Sequence, residues 1–145
     1  MFLGKYPCAL HGENRISVPS AIRDQLSGGA FVTQGFERNL LILTAGAFQE
    51  IYRRVTSLNM ADPLARLLLR LILGSAQALS LESDGHIAIP EDLKNFAGLD
   101  EQALLIGQGD YLEVWSPELW NEQEVQLRNA EANTERFSML TVSTR

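Results

Sequence analysis

Three side chains of this 145-residue chain join recognition chemistry to a repeated setting: Arg15, His86 and His11. Arg15 lies in the phrase NRISVPSAI, Asn14 to Ile22. Seventy-one positions after Arg15, the chain reads GHIAIPEDL, Gly85 to Leu93, with His86 in place of Arg15 and Gly85 in place of Asn14. A guanidinium fork makes two parallel hydrogen bonds, to guanine O6 and N7 or to a phosphate. Neutral imidazole offers one donor and one acceptor, and protonated imidazole is drawn to phosphate. The alternative for Arg15 is a solvated arginine or one paired with a carboxylate, Glu13 for example. For His86 and His11 it is an exposed turn histidine. Lys5 and Arg23 offer phosphate contacts or, as surface cations usually do, touch only water. Asn14 and Gly85 are both types that tolerate positive φ in a tight turn, which explains why one stands where the other is expected.

Other chemistries find little support. Two histidines and one cysteine, without H-x-x-x-H or C-x-x-C spacing, fall short of a zinc signature. No G-x-S-x-G, Cys/His constellation or phosphate-binding glycine loop is present, and Gly107-Gln108-Gly109 lacks the third glycine. The adjacent carboxylates Glu91 and Asp92 begin a helix pattern, where the macrodipole favours them. The expectation is a protein that is not an enzyme and uses no cofactor, metal or small-molecule substrate.

The elements that must position these residues come in two copies. The first spans 5–51: a strand at YPCAL, a polar break from His11 to Asn14, and a strand RISVP ended by Pro19. A short helix SAIRDQL follows, with Ser20 as N-cap and Gly28-Gly29 as stop. Strands AFVTQG and LLILT flank a turn at Glu37-Arg38-Asn39. A helix AGAFQEIYRRV closes the copy, with Phe48, Ile51, Tyr52 and Val55 at helical spacing.

The second copy spans 75–121 and repeats the order: QALSL, a turn Glu82-Ser83-Asp84-Gly85, HIAIP, the helix EDLKNFAGL, then ALLIGQG and YLEVW around Gly109-Asp110. Its closing helix begins with Ser116 as N-cap and Pro117 in the first turn and runs to about Glu131. Between the copies, 52–74, a turn at Asp62-Pro63 leads into an apolar helix, LARLLLRLIL. That helix is about half the length needed to cross a bilayer. Arg53, Arg54, Arg66 and Arg70 are expected to pair between subunits or with the acidic second half. The segment 122–145 finishes the helix and then, from NTERFSMLTVSTR, loses periodicity and is expected to be mobile. Units of about 45 residues bury too little apolar surface to stand alone, so the copies are expected to share one core.

Charge is uneven. The net charge is −6, yet residues 1–60 hold six cations against four acids. If either half meets a polyanion, it is the first, although crowding of acids on a solvated C-terminal helix explains part of the imbalance. A single cysteine and no signal pattern fit a cytoplasmic protein.

The strand, polar turn, strand ending in Ile/Val-Pro and short helix resemble the AbrB/SpoVT family of swapped-hairpin barrels. Two copies in one chain are similar to the MraZ family. So are Met1-Phe2-x-Gly4-x-Tyr6, DPLAR from Asp62 and GDYLEVWSPELW from Gly109; the likeness covers roughly 1–122. The resemblance implies an α+β fold of two AbrB/SpoVT-like swapped-hairpin β units forming an intrachain pseudo-dimeric barrel with flanking helices. It also implies a nucleoid-associated transcriptional regulator. Such a regulator binds direct repeats in double-stranded promoter DNA of the division and cell-wall gene cluster, usually to repress, as a ring-like homo-oligomer without membrane contact. The family's DNA-facing motif is Asp-x-x-x-Arg in each copy. Here it reads His11-x-x-x-Arg15 and Glu82-x-x-x-His86, so Arg15 is the only motif arginine left. Leu3 and Glu13 also stand where the family commonly has basic residues. These departures keep a second function open: an oligomeric protein-interaction module with weakened or lost DNA binding.

Overall fold

The computed structural model describes residues 1–140. In chain order its elements are β1 (Lys5–His11), β2 (Arg15–Ser17), α1 (Ser20–Arg23), β3 (Ala30–Gln34), β4 (Leu40–Thr44), α2 (Ala45–Thr56), α3 (Pro63–Ile72), β5 (Gln77–Leu79), β6 (His86–Ala88), α4 (Glu91–Phe96), β7 (Gln102–Gly107), β8 (Tyr111–Trp115), α5 (Pro117–Arg128) and α6 (Ala130–Phe137).

The eight strands form one sheet in the order β5-β3-β4-β8-β7-β1-β2-β6. Every pairing is antiparallel, and four of the seven join strands of different copies: β1 with β7, β2 with β6, β3 with β5 and β4 with β8. The two ends of this order approach each other where Glu82 N–H donates to the His86 carbonyl at 2.8 Å. The result is a nearly closed barrel whose hairpins interlock, the pseudo-dimeric α+β arrangement expected from the repeat.

The β2–β6 ladder carries the pseudo-two-fold axis. Ile16 pairs with Ile87, Arg15 with Ala88 and Ser17 with His86. The core follows the same rule: Ile16 and Ile87, Val18 and Ile89, and Ile22 and Leu93 are each at most 2% exposed. Burial of such side chains is worth about 1.5–3 kcal/mol each, and half of this core comes from either copy. Neither copy could close it alone.

Several local readings need correction. Pro19, not Ser20, occupies the N-cap of α1, and that helix lasts four residues before a 3-10 turn over Asp24–Leu26. The closing helix of copy two stops at Arg128, where Asn129 leaves helical geometry and caps a separate α6 by accepting from Ala132 N–H at 3.1 Å. The expected aperiodic tail is therefore helical over 130–137, while 141–145 lie outside the described residues. Arg53 and Arg54 pair with Glu50 one turn away in α2, and Arg66 donates to the Met60 carbonyl at 2.8 Å. These three cations serve their own neighbourhood rather than the acidic second half. α2 also covers the sheet through Phe48, stacked on Phe31 at 4.4 Å.

Candidate nucleic-acid interface

At one end of the barrel the two polar turns face each other. The turn of copy one, Gly12–Asn14, is not a helical turn: Glu13 (φ 63°) and Asn14 (φ 59°) both adopt left-handed backbone. Residues with a Cβ lose roughly 1–2 kcal/mol in that region. The turn is held nonetheless: Ile89 N–H donates to the Asn14 carbonyl at 3.0 Å, and the Asn14 amide donates to Glu91 of α4. In copy two Gly85 takes φ 83°, and its carbonyl accepts from Val18 N–H at 2.9 Å. Each turn is thus fastened to the strand end of the other copy.

Arg23 does the corresponding work on the far side. Its Nε and Nη2 donate to the Val18 carbonyl at 3.2 and 2.7 Å, and its guanidinium lies over Gly85, where an added Cβ would meet Cζ at 2.4 Å. The side chain fastens the strand after β2 and covers the copy-two turn.

Arg15, the first residue of β2, reaches across the pseudo-axis. Its Nε donates to Glu82 Oε1 at 3.0 Å and its Nη2 to Asp84 Oδ2 at 2.6 Å, with 27% of the side chain exposed. The carboxylate-paired arginine is therefore real, but both partners belong to copy two and Glu13 is not among them. These two hydrogen bonds, Glu82's first, push the Arg15 pKa further up. The Arg15 hydrogen bond holds Asp84 down at about 2 against partial desolvation.

His86 sits beside this pair. Its Nδ1 is buried 3.2 Å from Asp84 Oδ1 without a hydrogen-bond partner among the described residues, and its ring meets His11 edge-to-face at 5.5 Å. Its backbone N–H donates to Asp84 Oδ1 at 3.3 Å. The barrel end therefore gathers Arg15, His86, His11, Asn14, Gly85 and Arg23 from both copies. Lys5 stands apart: at about 3.3 Å per residue it lies roughly 20 Å along β1 from His11, and its Nζ sits 5.3 Å over the Trp120 ring of α5. Among the described residues no group of three or more His, Cys, Asp or Glu side chains is placed to hold a metal ion. None of their helices is long and apolar enough to cross a membrane.

The partners missed by sequence reasoning are Glu82 and Asp84 for Arg15, and Glu91 for Asn14. A signal existed: Glu82 is the copy-two counterpart of the family's motif acid, and an interlocked barrel brings that acid to the opposite copy's arginine.

The family profile described as "MraZ protein, putative antitoxin-like" matches the chain twice, over residues 1–71 and 72–141. The chain belongs to the MraZ family. MraZ relatives named "Transcriptional regulator MraZ" include those of Roseiflexus castenholzii, 38% identical over 83% of this chain and 84% of the relative, and Thermomicrobium roseum, 32% identical over 85% and 87%. That of Mycolicibacterium smegmatis is 31% identical over 99% of this chain and 96% of its own length. The name these MraZ proteins share is that of a regulator, not of an enzyme.

Proposed function

We propose that this chain is a cytoplasmic, nucleoid-associated transcriptional regulator that binds double-stranded promoter DNA in a sequence-specific way. The double family match supports the regulator; the one motif arginine at the barrel end supports the mode of reading. Within the domains proposed at 5–51 and 75–121, Arg15 offers a guanidinium to guanine or to phosphate, with His86 and His11 beside it. The net charge of −6 disfavours indiscriminate phosphate binding, so a small set of oriented contacts suits the protein better than a broad basic patch.

One arginine per chain is a weak reader. Assembly into a ring-like homo-oligomer would present several copies of it, and matched direct repeats in the promoter of a division and cell-wall cluster would turn weak contacts into usable affinity. Repression is the proposed outcome. The test is a titration of fluorescent DNA from upstream of the protein's own gene against shuffled DNA of equal length, over a salt series. A salt-sensitive preference for the promoter is expected.

A second reading has its own observation. Leu64 (71% exposed) and Leu67 (60% exposed) of α3, with Met60 (58% exposed), leave an apolar edge open, and Arg15 already has carboxylate partners. An oligomeric protein-interaction module with weakened or lost DNA binding would keep both features. It predicts no promoter preference in the same titration.

A further inference from the structure

The two copies disagree at one polar position, arginine in one and histidine in the other, while the second copy keeps two carboxylates in its turn. In space the disagreement disappears. Arg15 of copy one and Glu82 and Asp84 of copy two form one cluster at the barrel end.

The hydrogen bonds are distributed unevenly over the guanidinium. Arginine has five N–H donors in a fixed planar fork. Glu82 takes the Nε donor and Asp84 takes one on Nη2; among the described residues Nη1 has no protein partner. Two carboxylates, each on a different nitrogen of one plane, fix the guanidinium at two points, which a single one-bond contact cannot do. An unsupported arginine would have to order its long side chain on binding, which costs affinity. A held one has already done so. Two bonded donors still leave three N–H groups, enough for a two-bond contact with a base edge.

We infer that Glu82 and Asp84 are positioning residues for Arg15: one base-reading fork is assembled from both repeats, with copy one supplying the guanidinium and copy two its support. This rests on the DNA-binding reading above and adds to it the origin of sequence preference. It also accounts for the difference between the repeats. With the fork in copy one, copy two need retain only the acids, and its own motif position is free to become His86.

The opposite role is that the two carboxylates compete with DNA for Arg15. The roles differ in sign. Glu82→Gln and Asp84→Asn preserve shape and remove charge, and each single variant leaves the other carboxylate in place. The preference ratio, promoter over shuffled DNA, is measured over a salt series for wild type, both variants, Asp84→Glu, Arg15→Ala and the Arg15→Ala/Asp84→Asn pair. Oligomer mass and melting temperature are checked for each. For positioning, Glu82→Gln and Asp84→Asn should lower the ratio about tenfold, with binding to shuffled DNA unchanged or tighter because a negative charge has gone. Asp84→Glu should retain most of the ratio, and Asp84→Asn should change nothing further once Arg15 is alanine. A ratio that stays level or rises in both variants overturns the inference in favour of competition. A fall of equal size in the Arg15→Ala background also overturns it, because the acids would then act elsewhere. If wild type shows no preference at all, the DNA-binding reading fails first and takes this inference with it.

Discussion

Ile16 pairs with Ile87 across the β2–β6 ladder, so each stands opposite its own counterpart from the other repeat. Both side chains are sealed, at 0% and 1% exposure. A contact between equivalents marks a two-fold axis, and here that axis lies inside a single chain. Ile16→Ala and Ile87→Ala should therefore cost nearly the same, about 2–5 kcal/mol each. Chemical denaturation of the two variants checks this. A large cost at one site and a negligible one at the other would mean that the copies do not share their core equally.

Residues 1–60 expressed alone should be unfolded or should pair with themselves. In the whole chain β1 lies against β7, β2 against β6 and β4 against β8, so the fragment loses one of the two partners of each. Light scattering and thermal melting of the fragment check this. A stable monomer with a cooperative melt would contradict the interlocked arrangement.

The shared core was legible in the sequence because a repeat of 71 residues with matched apolar positions leaves little else for those side chains to do. The cross-repeat polar contacts were harder. The sequence alone leaves Arg15 free for DNA, solvated or paired with a carboxylate, of which Glu13 is the nearest along the chain. The left-handed backbone of Glu13 and Asn14 and the register of β2 against β6 bring Glu82 and Asp84 to the guanidinium instead. Neither feature leaves a mark in composition or periodicity. The break at Asn129 was hidden for a different reason: asparagine is tolerated within a helix pattern, and here its side chain caps a new one. Arg23 read as a surface cation because nothing local shows that its guanidinium would reach the Val18 carbonyl.

Gly85→Ala should destabilise the protein by about 1–2 kcal/mol or more, from the positive φ alone. It also brings a methyl into the guanidinium of Arg23. Combining it with Arg23→Ala should recover part of the loss, measured as a non-additive term in a double-mutant cycle. Strict additivity would show that the two residues do not meet.

Acid stability should depend on Asp84. Its carboxyl is held at about 2 in the folded chain, below the ordinary 3.8, chiefly by the Arg15 hydrogen bond. The unfolded chain therefore takes up this proton first as pH falls. The contribution is complete above 3.8 and disappears as pH drops towards 2. Arg15→Ala should return the Asp84 titration, followed by NMR, towards 3.8 and flatten this part of the pH profile. An unchanged titration would contradict the pairing.

His86→Arg restores the second motif arginine beside Asp84. It should tighten promoter binding and steepen the salt dependence by about one unit of slope per engaged site. His86→Ala should cost less than Arg15→Ala in the same titration. The reverse order would make copy two the reader.

If Arg15 reads the promoter, the Arg15→Ala variant should lose affinity for the DNA upstream of its own gene, measured at fixed salt and pH and at unchanged molecular mass. A loss of about 1–3 kcal/mol per engaged site, compounded if the proposed oligomer engages several sites, is the predicted result. Binding indistinguishable from wild type would contradict it.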